Sequence, residues 1–236
     1  MRVHRICLLL LLSASAGGAA DPTPEEQLAT ARAQFKAAVA KLDKTLLDAF
    51  DTNATLVRES AKPAEVKQKV LDQLKREKAD YEAHGWYPWS EAMRPALVAM
   101  IRDRMTAEKA VAAALDKVAD SYTRSKHDTE AAAVLKAKKE TLAPKLVARW
   151  ELTGTNWDGT WVGKLYSNGH YSDPDGKAVW ALEKGVVTLR QPEAGFPGGT
   201  KVLKWTLKES GTELDEVGNN NGARSVGKLA NVADEK

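Results

Sequence analysis

Cysteine is nearly missing from this sequence of 236 residues. Its single thiol, Cys7, lies in the first apolar run, so residues 21–236 contain none. That excludes a disulfide scaffold and any multi-cysteine metal site. Histidine is scarce as well. Beyond His4 there are only His84, His127 and His170, far apart and without the His-x-x-x-His spacing of a zinc helix. No metal and no cofactor is therefore expected. Neither sign of charge dominates, since 35 Lys and Arg face 32 Asp and Glu. A near-neutral balance argues against nucleic acid as a partner, because neutralising phosphates needs a basic surface. No apolar run approaches the roughly 20 residues that span a bilayer. A Gly-x-Ser-x-Gly elbow and a Gly-rich phosphate loop between strand and helix are also missing. The chain is expected not to be an enzyme.

What is there begins with a leader. Arg2 and Arg5 precede the apolar run Ile6–Leu12, small residues follow from Ser13 to Ala20, and Asp21-Pro22 opens a polar stretch. Basic start, short apolar middle and small-residue end are the layout of a secretory signal peptide. Residues 1–20 are assigned to it, with cleavage after Ala20 or, alternatively, after Ala16. The mature chain is expected to be exported, periplasmic or extracellular, and not membrane-spanning. A cysteine-free mature chain in an oxidising compartment suits a bacterial envelope protein.

Two compositions follow. From 21 to 148 there are 27 alanines and a single glycine, Gly85, whereas 13 of the 16 glycines lie between 151 and 229. Alanine with Leu, Lys and Glu favours helix. Dense Gly, Asn-Gly turns and alternating Trp, Val and Leu favour short antiparallel strands. The expected fold is α+β in two segregated parts. A helical region, 21–147, forms an antiparallel bundle or extended hairpins. An antiparallel β-meander, 148–230, forms a small barrel or sandwich, followed by a polar tail, 231–236. Thr23-Pro24-Glu25-Glu26 is a capping box that starts the first helix. Its stripe, Leu28 to Ala49, weakens near Asp51-Thr52-Asn53, where the helix is expected to end or fray. A second helix spans Pro63 to Gly85, a third starts near Pro95 and runs about 30 residues, and a fourth follows His127-Asp128. Strands are expected at 147–153, 160–166, 178–182, 186–190, 201–207, 213–217 and 223–229.

The candidate binding residues are aromatic. Trp86, Tyr87 and Trp89 fall within four positions between two helices, and Trp157 and Trp161 open the β region. Flat rings of this kind stack on the apolar face of a pyranose. The alternative, which is the one expected, is that the rings plug the end of the helices, so that Trp86 and Trp89 matter more for folding than for binding. Period-two alternation places Trp161 and Tyr166 on opposite strand faces. Glu213, Asp215 and Glu216 offer a carboxylate pair for glycoside hydrolysis if two of them converge in a cleft. Asp173-Pro174-Asp175-Gly176 resembles a calcium loop but has Tyr171 and Leu182 where acids would be needed, so a turn is expected.

The run Glu82-Ala83-His84-Gly85-Trp86-Tyr87-Pro88-Trp89-Ser90-Glu91-Ala92-Met93-Arg94 resembles a joint found in a group of uncharacterised exported bacterial proteins. They pair long helices with a small Trp/Gly-rich β module. Asn220-Asn221-Gly222-Ala223 is similar to their C-terminal turns. The resemblance implies architecture and export, and brings no catalytic residues with it. Gly159-Thr160-Trp161 also resembles the Gly-x-Trp of lipocalins, whose eight long strands do not fit a β region of roughly 80 residues. The functional expectation is a binding or structural component of the cell envelope, with polysaccharide or an envelope protein as partner. The alternative is a secreted polysaccharide-acting hydrolase using a carboxylate pair.

Overall fold

A computed structural model describes residues 22–154, 160–193, 199–218 and 224–230. Four helices come first: α1 (Pro24–Glu59), α2 (Ala64–His84), α3 (Arg94–Arg124) and α4 (Asp128–Thr141). Seven strands follow: β1 (Leu146–Gly154), β2 (Thr160–Tyr166), β3 (Val179–Glu183), β4 (Val186–Pro192), β5 (Thr200–Leu207), β6 (Glu213–Gly218) and β7 (Arg224–Leu229). The α+β class with segregated parts is as the composition predicts.

The capping box at the start of α1 is formed in both directions. Glu26 N–H donates to Thr23 Oγ1 at 3.3 Å, and Thr23 N–H donates to Glu26 Oε2 at 2.8 Å. The helix does not end near Asp51. It continues to Glu59, with the Thr52 and Thr55 hydroxyls folded back onto the carbonyls of Asp48 and Asp51. Phe50, Ala54 and Val57 meanwhile extend the buried stripe. Threonines that bond four residues back are compatible with helix, so the polar run interrupts the pattern but not the structure. Gly85 ends α2 in the left-handed conformation (φ +74°), with its N–H on the Tyr81 carbonyl at 2.8 Å. Only a residue without Cβ takes that geometry cheaply.

Helix α1 packs along α3 as an antiparallel spine, with α2 laid against α1 and α4 against α3. At 1.5 Å per residue the 36 residues of α1 span about 54 Å. Toward its N-terminus a small core gathers Ala31, Val111, Leu115, Val118, Ala119 and Val134. We call this part the arm.

The sheet has the order β2-β1-β7-β6-β5-β4-β3 and every pairing is antiparallel. Strands β3 to β7 form a meander, and β7 then returns beside β1. The sheet curls into a half-barrel. Its two edge strands are linked by isolated bridges, Leu165 to Tyr171 and His170 to Val179, within the β2–β3 connection. The inner face buries Leu152, Leu165, Val187, Leu189, Trp205 and Leu214. Their alternation with exposed residues is the period-two pattern that made the strands readable.

The two parts share one core. Leu46, Phe50, Leu74, Met93 and Leu97 of the helical part belong to the same buried cluster as Trp150, Trp180 and Trp205 of the sheet.

Candidate functional site

The segment between α2 and α3 is where helix and sheet meet. After Gly85 turns the chain, Trp86 stays half-buried beside the His84 ring, at a centroid distance of 5.1 Å. The next residues run inward. Tyr87 is 4% exposed and donates its N–H to the Val147 carbonyl of β1 at 3.1 Å. Trp89, 1% exposed, meets Trp150 edge to face at 6.1 Å and Trp180 at 6.0 Å. Glu91 N–H then reaches the Glu209 carbonyl in the β5–β6 turn at 3.0 Å. The fit is close. A Cβ on Gly211 (φ +70°) would overlap the Trp89 carbonyl carbon and the Ser90 nitrogen.

Trp86 and Trp89, expected to share one role, are thus divided. Tyr87 and Trp89 plug the helix-facing end of the half-barrel, while Trp86 keeps part of its ring in solvent. Alternation along an irregular loop has no fixed period, so sequence spacing could not separate them.

A buried carboxylate holds the plug from the helix side. Glu77, on α2 and 8% exposed, accepts the backbone N–H of Trp89 at 3.1 Å and of Ser90 at 2.8 Å on Oε1. Its Oε2 pairs with the Ser90 hydroxyl at 2.5 Å. Burial pushes the Glu77 carboxyl above the ordinary range, against the pull of these hydrogen bonds. Arg94, whose Nε donates to the Trp89 carbonyl at 3.0 Å, also donates from its guanidinium to the Lys208 carbonyl. The signal for Glu77 was present in the sequence as an acid at the spacing of the Val70, Leu74, Tyr81 stripe.

A second polar group lies along the spine. The Tyr81 hydroxyl donates to Asp43 Oδ1 at 2.5 Å, and Arg104 pairs with Glu108 at 2.9 Å. Burial lifts the Tyr87 phenol to about 12 and pushes Glu108 up against the attraction of Arg104.

In the β module Trp161 lies on the inner face of β2 with Gly163 and Leu165. Its ring is 5.9 Å from Trp205 and 6.4 Å from Tyr171. Gly163 makes room for this group, since a Cβ there would lie 2.5 Å from the Trp205 ring. Trp161 pairs with Leu152, five residues along β1 from Val147. Trp150, which meets the Trp89 ring, is two residues from Leu152, so at 3.3 Å per residue Trp161 stands about 7 Å further along the strand than that contact. It remains half-buried. Trp157 lies outside the described residues. No ring contact among the described residues joins Trp161 to Trp86, Tyr87 or Trp89.

The remaining candidates have local partners. Glu213 and Asp215 flank Lys208 at 3.3 and 3.9 Å, and all three side chains are about half exposed. The side chain of Glu216 lies outside the described residues. Asp173 to Gly176 form a turn in which Asp175 N–H donates to Asp173 Oδ1 at 3.0 Å and Gly176 N–H to the Asp173 carbonyl at 3.1 Å. The His170 ring sits against the Gly176 carbonyl at 2.6 Å. No cluster of three metal-ligating side chains occurs among the described residues, and none of their helices is long and apolar enough to cross a membrane. Comparison with protein-family models, curated proteins and solved structures returns no match for the chain.

Proposed function

We propose that the protein is an exported, non-enzymatic binding component of a bacterial cell envelope. The helices serve as a rigid arm and the β module as the head that meets a polysaccharide. One observation carries this reading. Of the candidate rings described, Tyr87 and Trp89 are used up by internal packing, Trp86 and Trp161 stay half-buried, and Trp161 is the one braced by two other rings, Tyr171 and Trp205. A braced, half-exposed indole is the arrangement that stacks on a sugar ring at little entropic cost. The resemblance of the joint to exported bacterial proteins supports the compartment.

The test is retention of residues 21–236 on insoluble peptidoglycan, chitin and cellulose, with soluble reducing sugar assayed in parallel. Retention by the parent, a drop of at least tenfold for Trp161→Ala and little change for Trp86→Ala are expected. Failure of the parent to bind any of the three overturns the sugar assignment. Release of reducing sugar overturns the non-enzymatic one in favour of the carboxylate-pair hydrolase. Mass spectrometry of the envelope-associated protein checks export, with a mature N-terminus at or near Asp21.

A further inference from the structure

We propose that Glu77 is a proton-operated latch: its carboxyl clamps the Trp89–Ser90 turn to α2, and its charge state sets how firmly the Trp89 plug is held in the β module. The clamp anchors this turn to α2. It takes two consecutive backbone N–H groups on one oxygen and a hydroxyl on the other, all from the residues that place the Trp89 ring against Trp150 and Trp180. The same turn is gripped from the sheet side through Glu91 N–H on the Glu209 carbonyl. Arg94 Nε holds the Trp89 carbonyl as well, so the Glu77 clamp is one of three grips on the segment that carries Trp89 into the β core.

The clamp works in both charge states but not equally well. As a neutral acid, Glu77 still accepts both N–H groups on its carbonyl oxygen and donates its proton to the Ser90 hydroxyl oxygen. As a carboxylate it accepts all three hydrogen bonds, but the charge must then sit at a site shut off from water. The charged groups around it are few. Arg94, from the first turn of α3, favours the ionised form and is itself shared with Glu91 of the loop and Glu209 of the β5–β6 turn. Gln73 adds a hydrogen bond from α2. Burial outweighs these, so the folded protein binds the proton more tightly than the unfolded chain does. Stability from this group is therefore fully present below the ordinary Glu value of 4.5 and is lost as pH rises through the folded value. The latch is firm while the proton is held and slackens as pH rises through the raised folded value.

The experiment compares urea unfolding of the full chain with that of Glu77→Gln from pH 4 to 8. Glutamine keeps an acceptor for the two N–H groups and a donor for Ser90, and does not titrate. Across the titration window the folding constant of the parent should fall relative to the variant, by up to about tenfold per pH unit. Glu108, shifted in the same direction, is present in both chains and cancels. Amide exchange supplies the local reading: protection factors of Trp89 and Ser90 should decline with pH in the parent and stay level in Glu77→Gln. A parent-to-variant ratio that is constant from pH 4 to 8 overturns the proposal. If Glu77→Gln does not fold, carbon NMR of the Glu77 carboxyl in the parent and in Ser90→Ala decides. Titration above 4.5, moved higher by loss of the hydroxyl, supports the latch, and titration at or below 4.5 overturns it.

Discussion

The arm and the joint are built from different materials. The arm core is Ala, Val and Leu between helices, with an open groove beside it lined by Ala31, Phe35, Ala38, Ala107, Val111 and Ala114. The joint packs Trp, Tyr and Met from both parts around Trp89, Trp150 and Trp180. Small side chains let long helices approach closely but remove little apolar area from water per residue. Large rings remove much more, at the cost of indole N–H groups that must find acceptors. Those of Trp89, Trp150 and Trp205 have none among the described residues, whereas Trp180 donates to the Tyr166 carbonyl at 2.9 Å. The comparison teaches that the aromatic core ties the two parts together, while the arm keeps a small aliphatic core of its own.

The largest effect should come from Trp89→Ala. Truncating a fully buried tryptophan costs about 3–5 kcal/mol, and because its neighbours belong to both parts, helical and sheet signals should be lost in one urea transition. Two separate transitions in the parent would break the idea of a shared core. Leu115→Ala probes the arm. It should cost near the lower end of the about 2–5 kcal/mol range for such truncations, since helices flanked by an open groove can close on the gap. Hydrogen exchange should then quicken around Val111, Val118 and Val134 while amides of β1 keep their protection. Equal loss at both places would mean that the arm and joint are one unit. Trp86→Ala should have the smallest effect, under about 1 kcal/mol, because the residue is only half-buried and its ring lies beside the exposed His84. A thermal unfolding curve matching Trp89→Ala would put Trp86 back in the plug.

Much of this architecture was legible in the sequence where a periodic pattern or a backbone rule governs. The alternation through Trp205 and Leu207, the positive φ at Gly85 and the Thr23–Glu26 box each leave a local mark. The sheet order does not, because nothing in the β7 residues says that they lie beside β1 rather than at an edge. The end wrongly expected for α1 at Asp51 shows the opposite failure. There the local pattern weakened, and contacts from Asn53 to Met93 and from Phe50 to the shared core carried the helix onward. For the candidate rings the sequence did not reveal their division, since partial exposure of Trp86 and burial of Trp89 follow from what the chain meets after Gly85. Glu77 went unnoticed because one acid on an apolar stripe looks like an imperfection until its three donors are seen.

The position of β7 has a consequence for how the chain is made. It is the last of the seven strands to leave the ribosome, yet it hydrogen-bonds to β1 on one side and β6 on the other. Its Leu229 lies opposite Trp150, 79 positions earlier in the chain. Until residues 224–229 emerge, the bridges of the β2–β3 connection join the β1–β2 hairpin to the β3–β6 meander, but β1 and β6 each keep an open edge of unpaired backbone groups. Chains halted before residue 224 would lack that one short strand and carry two such edges, which draw nascent proteins into aggregates or onto chaperones.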